Sequence, residues 1–599
     1  MTSLVPLVVL APLLGAAITL TLAGRPRIQR LIAVAVLAGV AVLGGVLLVL
    51  VDLHGTLVMQ VGGWAAPFGI ALVVDRLSAL LVAVSAIVLL AVLLFSVGQG
   101  LADGHDETPV SIYYPSYLIL AAGVFTAFIA GDLFNLYVGF EIVLVASYVL
   151  ITLGGSESRI RVGQTYIVVS LVSSMLFLTS IAMLYGATGT VNLAHLALRI
   201  AELPEGTQIV LHVMLLLGFG VKSAVFPLSF WLPDSYPTAP APVTAVFAGL
   251  LTKIGVYAII RTETLLFPGP ELNAVLLVVA SLTMLVGILG AIAQTDLKRM
   301  LSFTLVSHIG YLIFGVGLGS AVGTAATIYY IVHHIVVQTT LFLATGLVER
   351  IGGTTSLRRL GGLLQASPLV AVLFFIPALN LGGIPPFSGF LGKLGLFQAG
   401  AENGTPLAWV GIGVGALVSL LTLYALIRAW SLAFWRPRPE PIAAGAPETG
   451  SLSLTTVDAQ TSVVEVVRPG GGAGAAGASP SGVVRAAGPG SPSSTGPESP
   501  ASAEAADRAV PTRDDARRAV GAHPSTRGKR RGAAPTLLVG ATAGMVLVSV
   551  ALTIGAGPLY ELAERAGQSL ESSSYISAVF PDGVPGIGDG TATEGGSHG

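Results

Sequence analysis

Long apolar stretches recur along the chain and are separated by short polar breaks. Most contain about 20 residues, which is enough to cross the hydrocarbon core of a bilayer as an α-helix. We predict fourteen helices, near residues 4–23, 31–51, 71–97, 112–130, 133–153, 162–185, 208–231, 241–261, 272–293, 301–318, 324–348, 368–398, 407–434 and 535–556. The pattern therefore predicts an all-α, polytopic membrane protein.

Basic residues predict the orientation of these helices. The first apolar run has basic residues after it and none before it, which is the opposite of the charge order of a cleaved signal peptide. An outside N-terminus brings the basic clusters to the cytoplasmic side, and the opposite loops then hold single arginines such as Arg199 and Arg261. The clusters are Arg25/Arg27/Arg30, Arg159/Arg161, Lys298/Arg299, Arg350/Arg358/Arg359 and the run at 527–531. Both termini are therefore predicted to lie outside.

Composition agrees with a membrane protein and narrows its chemistry. Hydrophobic residues make up 53% of the chain and charged residues only 10%, unlike a soluble globular protein. The formal net charge of −1 gives no indication of a nucleic acid partner. Because the chain has no cysteine, it supplies no disulfide, no zinc thiolate and no cysteine-bound iron–sulfur cluster. We predict no metal site and no cofactor.

Four ionisable residues interrupt the apolar stretches: Glu141, Lys222, Lys253 and Lys393. A charge at the centre of a bilayer costs roughly 2.5–3.5 kcal/mol on insertion scales. Such residues face a protein interior or a wet cavity, pair with one another, and mark ion or proton pathways. The sequence therefore indicates a transporter more strongly than any other class of protein.

Two of these lysines stand beside predicted helix breaks. Pro227 follows Lys222 within helix seven, and Pro385 and Pro386 interrupt helix twelve before Lys393. Proline leaves a backbone carbonyl without its helical partner, and in a membrane that carbonyl needs another donor. Such prolines can simply bend a helix for packing. A lysine beside each break favours an ion site, a construction that recurs in transporters.

Glu141 and Lys222 are predicted to form a buried ion pair. A nearby carboxylate favours the charged amine, whereas burial favours the neutral one. Movement of the carboxylate would therefore drive proton uptake or release. A static pair that fixes helix packing is the alternative. Lys253 and Lys393 have no acidic residue near them in the sequence, which favours proton carriage over a structural role.

Three histidines and two aspartates are further candidates. His308 in helix ten, and His333 and His334 in helix eleven, titrate in the range that suits a proton relay. Asp75 opens helix three and Asp132 opens helix five, where each could cap a helix or give ions access to the path.

Residues 436–534 have a different composition, dominated by Ala, Gly, Pro and Ser. Such a segment buries too little apolar surface to offset its chain entropy, so we predict a disordered cytoplasmic linker. Its basic run at 527–531 is interpreted as a topology anchor for the last helix. Residues 535–599 are predicted to be helix fourteen and a flexible outer tail.

Taken together, the motifs resemble the D subunit of Mrp-type cation/proton antiporters. The resemblance covers residues 1–435 and the last helix, and the wider family includes pump subunits of complex I and of membrane hydrogenases. The motifs are GDLFNLYV at 131–138 followed by FE at 140–141, KSAVFPL at 222–228, FWLPDSYPTAP at 230–240, KIGVY at 253–257, and GIPPFSGF at 383–390 with Lys393. The string DLFNLY favours the D subunit over its relatives.

The resemblance implies an architecture and a set of roles. Helices one to three (1–97) would precede two inverted five-helix repeats, helices four to eight (98–265) and nine to thirteen (266–435), with helices seven and twelve broken. Glu141 and Lys222 would form a first switch, and Lys393 would communicate with the other side. The central hydrophilic axis would hold Lys253, His308 and His334. Gln338 departs from this pattern, because relatives often have lysine there, and so does the long linker.

The sequence thus predicts a proton-translocating subunit of a multi-subunit sodium/proton antiporter in the plasma membrane of a prokaryote. Its partners would be the other subunits, protons, sodium and the lipid bilayer, and it would not be an enzyme. Two alternatives stay open: a redox-driven proton-pumping subunit of complex I or a membrane hydrogenase, and a structural membrane scaffold.

Overall fold

The computed structural model describes residues 2–100, 110–153, 157–439, 536–570 and 572–584. The linker predicted at 436–534 lies outside the described residues, except for 436–439, and so does the basic run at 527–531. The end of the outer tail, from residue 585, also lies outside them.

The described chain is a bundle of long apolar helices. Thirteen of its helices are long and apolar enough to cross a membrane, and predicted helix twelve is present as two shorter halves. The helices are α1 (Leu7–Thr21), α2 (Pro26–His54), α3 (Arg76–Gln99), α4 (Val110–Ile129), α5 (Leu133–Thr152), α6 (Glu157–Thr188), α7 (Glu205–Ser223), α8 (Ala241–Leu266), α9 (Asn273–Ala293), α10 (Leu297–Gly317), α11 (Ala321–Gly352), α12a (Pro368–Gly382), α12b (Ser388–Asn403), α13 (Pro406–Trp435) and α14 (Thr536–Ile554). The prediction of an all-α, multi-pass membrane protein is confirmed.

Short elements connect the spans. Strand β1 (Leu57–Gln60) pairs antiparallel with β2 (Ala71–Val74), so that Leu57 lies opposite Val74. This hairpin between α2 and α3 was not predicted from the sequence. Short helices at Leu193–Ala201, Leu232–Ser235 and Leu363–Ala366 lie between longer ones.

Three helices that carry ionisable residues are among the most deeply buried. The most apolar 18-residue stretches of α8 and α11 are entirely buried, and that of α10 is 94% buried, against 28% for α2. Lys253 on α8, His308 on α10 and His334 on α11 are each 0% exposed. The bundle therefore places its ionisable side chains away from lipid, as their cost in hydrocarbon requires.

Small residues allow the helices to approach closely. Gly139 of α5 lies against the backbone of Ala127 of α4, and Gly287 of α9 lies against that of Ser307 of α10. A side chain at either glycine would meet the neighbouring backbone, which is the usual reason for small residues between membrane helices.

Helix α7 is shorter than predicted. It ends at Ser223, and the next residue, Ala224, has a left-handed backbone with φ of 58°. Lys222 is therefore the next-to-last residue of α7 instead of lying near its middle, and Pro227 lies in the following loop instead of inside the helix. In α12, the break at 383–387 lies where the prolines predict it, after the left-handed Gly383. The fourth helix of each predicted repeat is thus interrupted, whereas the inverted repeats themselves stay a prediction.

Helix α8 continues past its predicted end. Two π-helical turns, Phe247–Leu251 and Thr262–Leu266, lie on either side of the α-helical part Thr252–Arg261. Arg261 is consequently buried inside the bundle, and its prediction as a loop residue is wrong. π-Helical turns inside α-helices occur frequently at functional sites.

The segment after α14 is folded further than the predicted flexible tail. It forms α15 (Ala556–Ser569) and α16 (Ser572–Val579). Helix α15 lies on α11, and α16 lies on the short helix Leu193–Ala201. Arg565 of α15 donates two hydrogen bonds to Asp52 of α2, at 3.0 and 2.9 Å. This ion pair and the apolar contacts hold the segment on the bundle.

Candidate functional site

Lys222 is held by α6, not by Glu141. Its Nζ donates to Ser174 Oγ at 3.0 Å and to the Ser170 carbonyl at 3.4 Å. Glu141 Oε1 is buried and has no hydrogen-bond partner among the described residues. The predicted direct ion pair is therefore not formed within the described chain. The two groups belong to neighbouring helices of one cluster, since Lys222 Nζ lies 5.9 Å from the ring centre of Phe140.

The end of α7 leaves polar backbone beside Lys222. Trp231 Nε1 donates to the Val221 carbonyl at 3.1 Å, and Phe226 N donates to Thr283 Oγ1 at 3.1 Å. A cavity of about 30 Å³ lies against Lys222 and is lined by Ser170 among others. Such a volume, with polar groups on its wall, accommodates about one water.

Lys253 lies on α8 next to the first π-helical turn. Its Nζ donates to the Ala248 carbonyl at 2.7 Å, and the residue is 0% exposed. It has no acidic partner in the described part of the chain, as the sequence predicts. Gly255, two residues further on, packs against the backbone of Lys222 and Ser223, so the two lysine-bearing helices meet here.

The three histidines converge in a stack with Tyr330. The Tyr330 hydroxyl lies 2.8 Å from His308 Nδ1, and the rings of His308 and His334 are stacked with centres 5.3 Å apart. The ring of His333 stacks on Tyr330 at the same separation, 5.3 Å. The remaining nitrogens of all three histidines are buried without a hydrogen-bond partner among the described residues. Unpaired buried nitrogens of this kind are costly unless water or a proton carrier reaches them.

A hydroxyl and an amide connect the stack to the break in α12. Ser388 Oγ lies 3.0 Å from His333 Nδ1 and 3.3 Å from Asn380 Oδ1. Asn380 Oδ1 also accepts from Gly389 N at 2.9 Å, so this amide joins both halves of α12. Pro385 and Pro386 lie on the exposed side of the break.

Lys393 faces the break from α12b. Its Nζ donates to the Leu381 carbonyl at 3.1 Å, to the Gly382 carbonyl at 3.4 Å and to Ser419 Oγ at 2.9 Å. The amine also lies 5.1 Å from the centre of the Tyr311 ring. The lysine thus satisfies the carbonyls that the interrupted helix leaves without partners.

Gln338 lies inside the bundle on α11 and is 0% exposed. Its Nε2 donates to the Leu301 carbonyl of α10 at 2.8 Å, whereas its Oε1 has no partner in the described chain. The side chain therefore faces protein, not lipid.

Asp75 forms a buried ion pair that was not predicted from the sequence. It caps α3 by accepting from Ser78 N at 2.9 Å, and it accepts from Arg261 Nη2 at 2.5 Å. The Arg261 guanidinium lies 5.3 Å from each of the ring centres of Tyr257 and Tyr575. Since the partners are 186 residues apart, no local signal links them. The helix-capping role of Asp75 is observed, and its role in ion access stays a prediction.

Asp132 caps α5 from the residue just before the helix. Its Oδ1 accepts from Asn135 N at 2.6 Å, while its Oδ2 is buried without a partner among the described residues. Burial raises the pKa of Asp132 to about 6, against the lowering effect of the backbone hydrogen bonds. This carboxyl is thus able to take up a proton near neutral pH, and a role in ion access stays a prediction.

The chain is similar to known proteins. Residues 130–422 match the family described as "NADH:quinone oxidoreductase/Mrp antiporter, TM". The chain is 41% identical over 439 residues to the D subunit of the Na(+)/H(+) antiporter of Alkalihalophilus pseudofirmus, covering 73% of this chain and 87% of the relative. It is 38% identical over 443 residues to the protein of the same name from Bacillus subtilis, covering 74% and 88%.

A solved structure agrees with these relatives. A chain of the Mrp complex from Dietzia sp. DQ12-45-1b is 31% identical and superposes with a TM-score of 0.77, covering 97% of this chain and all of that one. Identity above 30% over most of both chains shows that the two share a family as well as a fold. The chain belongs to the family of D subunits of Mrp-type Na(+)/H(+) antiporters, within the wider NADH:quinone oxidoreductase/Mrp antiporter family.

Proposed function

We propose that this chain is a proton-conducting subunit of a multi-subunit sodium/proton antiporter, with both termini outside the plasma membrane of a prokaryote. The observation that carries the proposal is the series of amines and imidazoles inside the bundle from the half-buried Lys222 to the buried Lys393. Hydroxyls and helix-break carbonyls lie between its members. The names of the relatives support sodium as the exchanged cation and other subunits as partners.

Glu141 and Lys222 act as the first switch. Ser174 holds the Lys222 amine at 3.0 Å, so the Glu141 carboxylate can move towards this amine or away from it. Its approach favours the protonated amine and its withdrawal favours release. A separated pair is better suited to this role than a fixed ion pair, which would hold the proton in place.

Lys253 and the histidine stack form the centre of the path. His308, Tyr330 and His333 are in hydrogen-bond or ring contact, so a proton moves between them in short steps. His334 stacks on His308 and brings the series to the Lys253 side. Partner subunits would couple this movement to sodium export.

Lys393 takes the proton at the far end. Ser388 and Asn380 lie between His333 and the break that Lys393 faces. The carbonyls of Leu381 and Gly382 stabilise the charged amine without neutralising it. A change in backbone conformation at the break would therefore alter how strongly Lys393 binds its proton.

Two alternatives remain weaker. A redox-driven pump subunit would share the fold, because complex I proteins belong to the same wider family. Genes for quinone- or hydrogen-oxidising subunits beside this one would favour it, whereas genes for small antiporter subunits would favour the antiporter. A structural scaffold would keep its buried charges in fixed pairs, as Asp75 and Arg261 do, and the lysines of the path are not paired in that way.

The test is Na⁺-driven proton movement in membrane vesicles that contain the complete antiporter complex. Replacing Lys222 with alanine should abolish the proton movement while the complex still assembles. Lys298→Ala is the matched control, since Lys298 pairs with the half-exposed Glu349 at 2.7 Å and lies outside the path. Normal proton movement in the Lys222→Ala complex would contradict the proposal and favour a structural scaffold subunit.

A further inference from the structure

A buried imidazole–carboxylate pair lies apart from the path described above. His212 Nε2 of α7 and Glu263 Oε1 of α8 are 2.6 Å apart, and their side chains are only 2% and 7% exposed. The His212 ring stacks on Phe267, with ring centres 4.4 Å apart and planes within 3° of parallel. Two ionisable groups inside membrane spans are expensive, and they mark functional positions more often than structural ones.

The pair stands at the same end of both lysine-bearing helices. His212 precedes Lys222 by ten residues, and Glu263 follows Lys253 by ten residues. At 1.5 Å per residue, each group lies about 15 Å along its helix from the lysine. Because α7 and α8 run antiparallel, both groups lie on the side where α7 begins, which is the predicted outer side.

The backbone at Glu263 is irregular. Glu263 belongs to the π-helical turn Thr262–Leu266, and the other π-helical turn of α8 ends two residues before Lys253. Residues 261 and 263 therefore reach different partners, Asp75 and His212. Such turns are rare and concentrate at functional sites.

A cavity reaches this pair from the surface. It has a volume of about 380 Å³, and its wall includes His212, Gln208, Phe267 and the exposed carboxylates Glu205 and Glu271. Most of its wall is apolar, and a cavity of this size with several polar groups on its wall has room for several waters. The cavity thus opens beside His212 at the predicted outer side, and the two helices that carry the pair also carry Lys222 and Lys253.

We propose that His212 and Glu263 form the port through which the first half of the chain exchanges protons with the outer aqueous phase. The inference rests on the proposed function and adds a location for one end of its path. An imidazole and one carboxylate form a poor site for a hard cation such as sodium, which prefers several oxygen ligands. They form a good site for a proton, because the imidazole nitrogen and the carboxylate oxygen lie 2.6 Å apart and can share one.

The surroundings of the port contain further ionisable groups. Carboxylates line the cavity, an exposed ion pair lies on the short helix beside it, and a buried cluster lies behind it on α8, α3 and α16. These groups are Glu205 and Glu271, Arg199 and Glu202, and Arg261, Asp75 and Tyr575. His212 and Glu263 contact each other directly, at 2.6 Å.

The experiment uses the complete antiporter complex in proteoliposomes in which the pH of each face is set separately. Wild-type proton flux should depend on the pH of the outer face. His212→Gln and Glu263→Gln should each lower the flux at least about tenfold, as for loss of an acid–base group. Both should lose the dependence on outer pH and keep the dependence on inner pH. Glu202→Gln is the control, because it removes a carboxylate from the same side without touching the cavity.

Two further variants keep the test decisive. Glu263→Asp retains the charge and lengthens the contact to His212, so it should give a smaller loss of flux even where the glutamine variants fail to assemble. The chain has no cysteine, so Leu198→Cys in the cavity wall is a unique target for a membrane-impermeant thiol reagent. It should react from outside the cell, whereas Leu196→Cys, at a fully buried position, should not.

Three results would overturn the port. The first is an unchanged dependence on outer pH in assembled His212→Gln and Glu263→Gln complexes. The second is wild-type flux in Glu263→Asp. The third is labelling of Leu198→Cys only from the cytoplasmic side. None of them touches the proposed function, which fails instead if Lys222→Ala retains transport.

Discussion

The hydroxyl of Ser174 makes it possible to test whether Lys222 changes its protonation state during transport. Ser174 Oγ accepts a hydrogen bond from Lys222 Nζ at 3.0 Å, and the Ser170 carbonyl is a weaker second acceptor at 3.4 Å. A hydroxyl oxygen that accepts from an ammonium group stabilises its protonated form. Ser174→Ala removes that acceptor and leaves Glu141 in place.

The expected effect can be worked out from the hydrogen bond. A hydrogen bond to a charged group contributes about 1.5–3 kcal/mol. One pH unit corresponds to about 1.36 kcal/mol, so full loss would move the release of the proton by about one to two pH units. The Ser170 carbonyl and the small adjoining cavity still solvate the amine. We therefore expect the pH profile of antiport to move about one unit towards lower pH, because the amine releases its proton more easily.

The assay is Na⁺-driven proton movement in everted vesicles, followed with a pH-sensitive dye across a series of buffers. Ser180→Ala is the matched control. Ser180 lies six residues further along α6, is 1% exposed, and donates to the Leu176 carbonyl of its own helix. It should leave the profile in place. A profile that is identical in Ser174→Ala and Ser180→Ala, with normal amounts of complex, would refute a titrating Lys222.

Three other perturbations extend the test. Glu141→Gln keeps the shape and removes the charge, so sodium-sensitive cells should not be rescued by the mutant operon, and the double variant with Lys222→Ala should be little worse than either single one. Deleting residues 445–525 should leave transport intact, because the segment contains too few large apolar residues to fold or to line a path; lost transport at a normal protein level would contradict this. Gln338→Lys should retain transport with a shifted pH optimum, since a lysine amine can donate to the same Leu301 carbonyl. Immunoblots that show no Gln338→Lys protein would count against a hydrated position.

The sequence predicted the positions of the ionisable groups better than their partners. Apolar runs locate Lys253 and Lys393 inside spans, and the glycines and prolines at 382–386 locate the break beside Lys393. The end of α7 was predicted too late, near residue 231, because the apolar run continues past Pro227, whereas the helix ends at Ser223. A left-handed alanine is uncommon, so no sequence rule signals it.

Partners that lie far apart in the chain could not be predicted. Ser174 is 48 residues from Lys222, and Glu263 is 51 residues from His212. Serine occurs often in this protein and gives no signal of its own. Which serine reaches a lysine depends on the rotation of α6 against α7, and that rotation follows from packing along the whole length of both helices.

The acceptors that surround each buried cation indicate what that cation does. Arg261 is bound by the Asp75 carboxylate, and arginine does not give up its proton in proteins, so this pair is permanently charged and holds α3 to α8. Lys253 and Lys393 donate instead to carbonyls at irregular turns of their helices, at 2.7 and 3.1 Å. A carbonyl dipole stabilises an ammonium less than a carboxylate does, and no unpaired charge remains when the amine is neutral. Uncharged acceptors therefore keep the protonated and neutral forms of a buried lysine close in energy, which a proton carrier needs and a structural ion pair does not.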